Sequence, residues 1–271
     1  MISGHREFAR LMRQPRLRDL LASYPPVVYR PYRRYLATSF TKKDRRATLK
    51  HHYTYLLTRI NDAFFSQIST NKILLWQKTV DDDVFTIKLS FTGVLQHGGD
   101  LLLEFAERSQ RLFHMSFTIA RGHVAGSAAA EVLLIGHVLG IAGHFDDIRR
   151  PTKACLDVAP PYLLMAAVQG LADALSVNVI AGVRNTEQIT ANSSDSENVF
   201  FDYDAFWRTH LGNEAEKFFL ISVPIPEKPM ALISASHRRR TRLKRQFRSE
   251  VAEAAKANFR SFLSSHQDSS I

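Results

Sequence analysis

The chain has 271 residues, 45% of them hydrophobic, 18 Phe and a net charge of +10. That composition belongs to a folded globular protein and excludes a disordered or collagen-like chain. A single cysteine, Cys155, excludes an internal disulfide framework and a cysteine-based zinc site. The charge is uneven: residues 1–60 carry +11, residues 61–227 carry −8 and residues 228–271 carry +7. Basic ends flanking an acidic middle either pack near that middle or present a basic face to an anionic partner such as RNA or an anionic membrane. The first residues contain Arg throughout and no apolar signal core, and no apolar run reaches the ~18 residues of a membrane span. The expectation is a soluble cytoplasmic protein without a transmembrane segment.

In chain order, Phe8, Leu11, Met12, Leu17, Leu20 and Leu21 recur at helical spacing, with Pro15 splitting the segment into two short helices. Tyr24 to Leu36 interleaves aromatic, Pro and Arg residues. It either stacks on nucleic-acid bases or lies as an extended segment over the body, and the second is favoured because such residues serve ordinary packing. Leu49, Tyr53, Leu56, Ile60, Phe64 and Ile68 predict one helix after Thr41. His51 and His52 within it point about 100° apart and do not chelate one metal together.

From Lys72 the pattern changes to strands. Five short apolar segments, 73–80, 84–91, 101–108, 111–122 and 131–140, predict an antiparallel meander, with the His97 to Asp100 stretch HGGD as a hairpin turn. A polar turn with Arg149, Arg150, Thr152 and Lys153 follows, then a helix opened by Pro160 and Pro161, then a strand at 177–183. A polar loop, the stretch DYDAFW at 202–207, and a strand near 217–223 complete the middle. The fold class is α+β, a mixed and mainly antiparallel sheet flanked by helices. An N-terminal helical extension covers 1–71, the sheet core 72–235 and a basic amphipathic helix 236–271. That last helix places Leu243, Phe247, Val251, Ala255, Phe259 and Phe262 on one side; it docks on the body or binds a membrane surface or nucleic acid.

No nucleophile elbow, nucleotide-binding lysine loop or groove-reading DNA module is present. His137 and His144, with Asp146 and Asp147 beyond, match no standard metal-ligand spacing. The basic turn has the chemistry of an anion clamp, cations beside a helix start. Asp202 and Tyr203 offer a carboxylate base and a phenol acid, beside Asp204 and Trp207.

These motifs resemble the VirK/YbjX family of bacterial proteins: IGHVLG at 135–140, TKACLD at 152–157, VNVIAGVRN at 177–185, DYDAFW at 202–207 and the basic RRRTRLKRQF end. The resemblance implies a cytoplasmic bacterial protein with virulence and envelope phenotypes. The order of elements also resembles the GNAT N-acyltransferase fold, although its glycine-rich diphosphate signature is replaced by Gly136, Gly140 and Gly143. That likeness implies acyl transfer from acyl-CoA or an acyl-phosphopantetheine carrier, an acidic acyl-carrier protein, to an amine or hydroxyl, with no permanently bound cofactor. Its expected site comprises His137 or Asp202 as base, Tyr203 as acid, Ile135 to Val138 amides on the thioester carbonyl, Arg149, Arg150, Thr152 and Lys153 on phosphate, and Asp204, Trp207 and Asn185 at the substrate.

Overall fold

A computed structural model describes residues 2–92, 97–140, 148–189 and 201–264. The N-terminal apolar pattern forms α1 (Ile2–Met12) and α2 (Arg18–Ser23), separated as expected by a 3₁₀ turn that opens on Pro15. Tyr24 to Leu36 is not extended. Pro25–Tyr32 coils as a 3₁₀ helix, since proline's fixed φ suits that conformation as readily as an extended one.

The predicted single helix after Thr41 is two, α3 (Lys42–Arg59) and α4 (Asp62–Thr70). Thr41 and Asp44 close a capping box on α3. The break falls at Asn61, whose N–H donates to the Phe262 carbonyl and whose side chain accepts from Phe64 N–H to cap α4. Because Leu56, Ile60, Phe64 and Ile68 are all buried, the apolar period runs through the break without revealing it.

Eight strands form one sheet in the order β1-β2-β3-β4-β5-β6-β8-β7. β1 (Ile73–Val80), β2 (Asp83–Phe91), β3 (Leu101–Glu107), β4 (Gln110–Arg121) and β5 (Glu131–Gly140) are the expected meander. The crossover from β5 carries α5 (Arg149–Ala154) and α6 (Pro160–Ala174) to β6 (Val179–Val183), which pairs parallel with β5. Then come α7 (Tyr203–Thr209), the two-residue β7 (Asn213–Glu214) and β8 (Phe218–Ser222). α3 and α4 pack on β4 and β2, while α6 and α8 (Ala235–Arg260) pack on β3, β4 and β1. Central β4 is therefore buried in both alternations.

α8 docks on the body. Phe247, Val251, Ala252, Ala255 and Phe259 are buried, but Leu243, expected on the same stripe, is 46% exposed. The two helices approach closely at Gly170, where a Cβ would stand 2.1 Å from the Ala252 carbonyl oxygen. No helix among the described residues is long and apolar enough to cross a membrane.

HGGD is not a tight hairpin turn. Gly98 crosses over the sheet, and its carbonyl accepts from the Gly136 N–H at 3.1 Å. Gly136 is the extra residue of a bulge in β5, where Ser116 pairs with His137 and Phe117 with Ile135. A Cβ on Gly136 would lie 2.5 Å from the Gly98 oxygen, and one on Gly98 2.3 Å from the His137 Cβ, so this crossing requires both glycines.

The crossing is held by a buried ion pair. Asp100 accepts from Tyr53 at 2.9 Å, from Thr118 at 3.1 Å and from Tyr35, and pairs with Arg30 at 3.2 Å. Burial alone pushes the Asp100 carboxyl up, but Arg30 and the surrounding donors outweigh it and hold it below its ordinary range. Asp100→Ala strands Arg30 without its carboxylate and is expected to destabilise the fold by about 3–5 kcal/mol. Chemical denaturation measures this, and pairing the change with Arg30→Met is expected to recover part of the loss.

Candidate active site

Parallel β5 and β6 pair over three positions only, Leu133 with Ile180, Leu134 with Ala181 and Ile135 with Gly182. Beyond them β5 continues along β4 while β6 ends at Val183 and the chain turns at Arg184. The edge of β5 exposed by this parting must find other partners. Side chains supply them. The Tyr203 hydroxyl accepts from Val138 N–H at 3.1 Å and donates to the Val138 carbonyl at 2.9 Å, and Gln188 Nε2 donates to the Gly136 carbonyl at 3.3 Å. One phenol thus occupies the place of a strand's peptide group.

Tyr203 is set there by a lock between β6 and α7. Asp202 caps α7 by accepting from Ala205 N–H at 3.0 Å. Asn185 donates through Nδ2 to Asp202 at 2.9 Å, accepts from Tyr203 N–H at 2.8 Å and donates its own N–H to Asp204 at 2.7 Å. Trp207 donates to the Val183 carbonyl at 2.8 Å, and its ring lies on Gly182, where a Cβ would stand 2.3 Å from Cε2. Asn185, Asp204 and Trp207, expected at the substrate, are therefore committed to protein partners. Asp202 is no ready base either, because the Ala205 N–H and the Asn185 amide hold its carboxyl below the usual range. Burial pushes the Tyr203 phenol well above its ordinary value, so it stays protonated.

His137 stands at the same parting. Directly paired residues and alternate residues of a strand share a face. The pairs Ser116 with His137 and Glu104 with His114 therefore put His114, Ser116, His137 and Glu104 on one face. The two imidazole rings are 5.4 Å apart. His137 Nε2, His114 Nδ1 and Ser116 Oγ are all shielded from solvent and have no hydrogen-bond partner among the described residues. Burial, then the neighbouring His137, lowers His114 to about 3; burial, then His97, lowers His137 to about 4. Both are neutral near pH 7, which leaves an unprotonated nitrogen on each ring, although the same burial makes each a weaker proton acceptor than a free imidazole. Glu104, beneath them, pairs with Arg111 at 2.8 Å and with Lys72.

A model of the family described as protein of unknown function (DUF535) matches residues 3–257. The chain belongs to the DUF535 family. It is 27% identical over 233 residues to the uncharacterized protein YbjX of Escherichia coli strain K12, covering 83% of this chain and 69% of YbjX. This agrees with the VirK/YbjX likeness of its motifs. No solved structure matches.

In this DUF535 chain the basic turn is only partly available. Arg150 bridges Asp83 at 2.8 Å and Glu107, and the Thr152 hydroxyl donates back to the Ile148 carbonyl at 2.7 Å, leaving Arg149 and Lys153 exposed. The Ile135 side chain is fully buried between two ladders, and the Val138 N–H is engaged by Tyr203. Cys155 is buried, and burial pushes its thiol up to about 11, which disfavours the nucleophilic thiolate. No cluster of three His, Cys, Asp or Glu suited to a metal exists among the described residues. His144, Asp146 and Asp147 lie outside them.

Tyr203→Phe removes both bonds to Val138 and is expected to lower stability by about 1–3 kcal/mol in denaturant titration. The buried neutral histidines set an acid limit. On acidification the unfolded chain binds protons near 6.5, before His52, His137 and His210 at about 4 and His114 at about 3. Stability contributed by their burial is thus complete above pH ~6.5 and lost as pH falls towards 4, on the order of 1–3 kcal/mol for each. Unfolding free energies measured across that window are expected to fall with pH, and His114→Gln to flatten the slope.

Proposed function

We propose that the protein transfers an acyl group from a phosphopantetheine thioester, carried on coenzyme A or an acidic carrier protein, to an amine or hydroxyl. The observation that carries this reading is the parting of β5 from β6, with the Gly136 bulge and neutral His137 beside it. A meander, one parallel pair and a last strand inserted beside that pair make up the strand order, which resembles GNAT-like acyltransferases. In those proteins the pantetheine lies where two parallel strands splay. A pantetheine arm carries two amides, and these can take over the Val138 N–H and carbonyl that Tyr203 now satisfies, in the manner of an added strand.

The chemistry then follows from the neighbours. His137 Nε2 accepts the proton of the attacking amine or hydroxyl, a bond forms from that nitrogen or oxygen to the thioester carbon, and the carbon–sulfur bond breaks. Once displaced from Val138, the Tyr203 hydroxyl can donate a hydrogen bond to the departing thiolate, which takes up the proton that His137 accepted.

The competing reading, a non-enzymatic factor that binds RNA or anionic membrane through its basic ends, has less support. Arg240 pairs with Asp157, Lys256 with Asp173, and Arg245 shares Glu227 with Arg248, so part of the α8 charge is answered within the chain.

Thiol release from acyl-CoA and acyl-carrier donors, with thermal shift on the same donors, tests the proposal. Donor-dependent stabilisation and turnover are expected, and His137→Gln is expected to slow turnover by about 10²–10⁴-fold while leaving the thermal shift in place. Absence of both stabilisation and turnover across all donors would sink it.

A further inference from the structure

α6, α7 and α8 enclose a cleft of about 670 Å³, well within the range of small-ligand sites. Its lining is strongly basic. Arg208, Lys228, Arg245 and Arg248 face it with one carboxylate, Glu227, among them. Glu227 holds Arg245 at 3.0 Å and Arg248 at 2.8 Å, fixing two guanidinium forks on one carboxylate, and Arg208 pairs with Glu214 at 3.2 Å, so the excess positive charge of the cleft comes from the shared Glu227 and from Lys228. Fixed guanidinium forks of this kind match the oxygens of a phosphate. One wall is aromatic: the Tyr162 and His210 rings are stacked at 5.3 Å with 27° between their planes.

The cleft and the strand parting are joined by one short helix. α7 begins with Tyr203, whose hydroxyl plugs the edge of β5, and Arg208 and His210 lie at its other end in the cleft. Seven helical residues span about 10 Å. An extended phosphopantetheine arm exceeds that length, so a thiol end at Val138 and a phosphate end in the cleft are compatible. Tyr162 meets Phe206 of α7 at 5.5 Å, and Phe206 packs on Phe201, which contacts Tyr203 at 5.0 Å. A chain of ring contacts thus runs from the cleft to Tyr203.

We propose that this cleft seats the phosphate-bearing end of the donor's phosphopantetheine. The identity of the ligand rests on the acyl-transfer reading; the anion preference rests on the cleft itself. Arg245 and Arg248 of α8, with Lys228 before it, hold the phosphate in place of the basic turn at Arg149 to Lys153, whose Arg150 is answered by two carboxylates, Asp83 and Glu107. With coenzyme A, the Tyr162 and His210 stack offers a face to the adenine ring. With a carrier protein, the same cations meet the phosphodiester and the acidic surface around it.

Calorimetric titration with pantetheine, 4′-phosphopantetheine, 3′,5′-ADP and a holo acyl carrier protein tests the proposal on the full chain. The phosphorylated arm is expected to bind about tenfold or more tightly than pantetheine. Arg248→Ala and Lys228→Ala are each expected to remove that advantage, whereas Arg242→Ala, exposed elsewhere on α8, leaves it. Competition by 3′,5′-ADP would identify coenzyme A as the source, and binding of the holo carrier without such competition would identify the carrier. Equal binding of pantetheine and its phosphate, or an advantage untouched by both cleft variants, would overturn the proposal. If an acyl-pantetheine is nevertheless turned over, acyl transfer stands and only the cleft assignment falls.

Discussion

The Asp100 carboxylate is the point on which the site's geometry depends. Its partners come from separate parts of the chain: Arg30 from the 3₁₀ helix, Tyr35 from the segment after it, Tyr53 from α3 and Thr118 from β4. A buried charge must be paired and fully hydrogen-bonded to be tolerated, so none of these segments can shift without stranding it. Arg30 also donates to the Gly99 carbonyl and to Thr92 at 2.8 Å. This fixes Gly98, whose carbonyl receives the Gly136 N–H and so fixes the bulge. The bulge in turn determines the face on which His137 lies, since one extra residue reverses every later side chain of the strand. The ion pair and the neutral histidine are thus two ends of one mechanical chain.

Elements with strong local periodicity were legible in the sequence. The five meander strands, the crossover helix with its opening prolines and the docked basic helix follow from alternation, from spacing near 3.6 and from the limits of proline. Features set by distant partners were not. The break at Asn61 depends on the Phe262 carbonyl, some two hundred residues away, and leaves no mark on the apolar period. HGGD has the composition of a hairpin turn, yet its glycines serve a contact with Gly136 that only the folded sheet creates. His137 stood out as a strand histidine beside glycines, but His114 and Ser116 could join it only once the β4–β5 register was known.

DYDAFW shows how residue chemistry can mislead. Aspartate, tyrosine and aspartate in a row read as acid and base, and the same three residues are equally a helix start. Here Asp202 caps, Asp204 holds the Asn185 N–H, and only Tyr203 reaches the parting. The signal that distinguishes these uses is the asparagine seventeen positions before Asp202, which binds both the cap and the helix's first N–H. Because its three partners lie seventeen to nineteen residues further along the chain, sequence proximity could not reveal the lock.

A phenol at the edge of β5 differs from a strand in one respect that bears on function. Separating a paired strand breaks a row of hydrogen bonds together with the packing of alternate side chains, whereas turning Tyr203 aside breaks two bonds to one residue. An arm that offers an amide carbonyl and an amide N–H in their place restores both, so the exchange is close to neutral in hydrogen bonding. Its balance is then set by how well the rest of the arm is held, and by the desolvation of a tyrosine hydroxyl that must find a new partner. Under the proposed acyl transfer a leaving thiolate is such a partner. The lock of Asn185, Asp202 and Trp207, which sets Tyr203 against Val138, would on that proposal also position a hydrogen-bond donor for the sulfur.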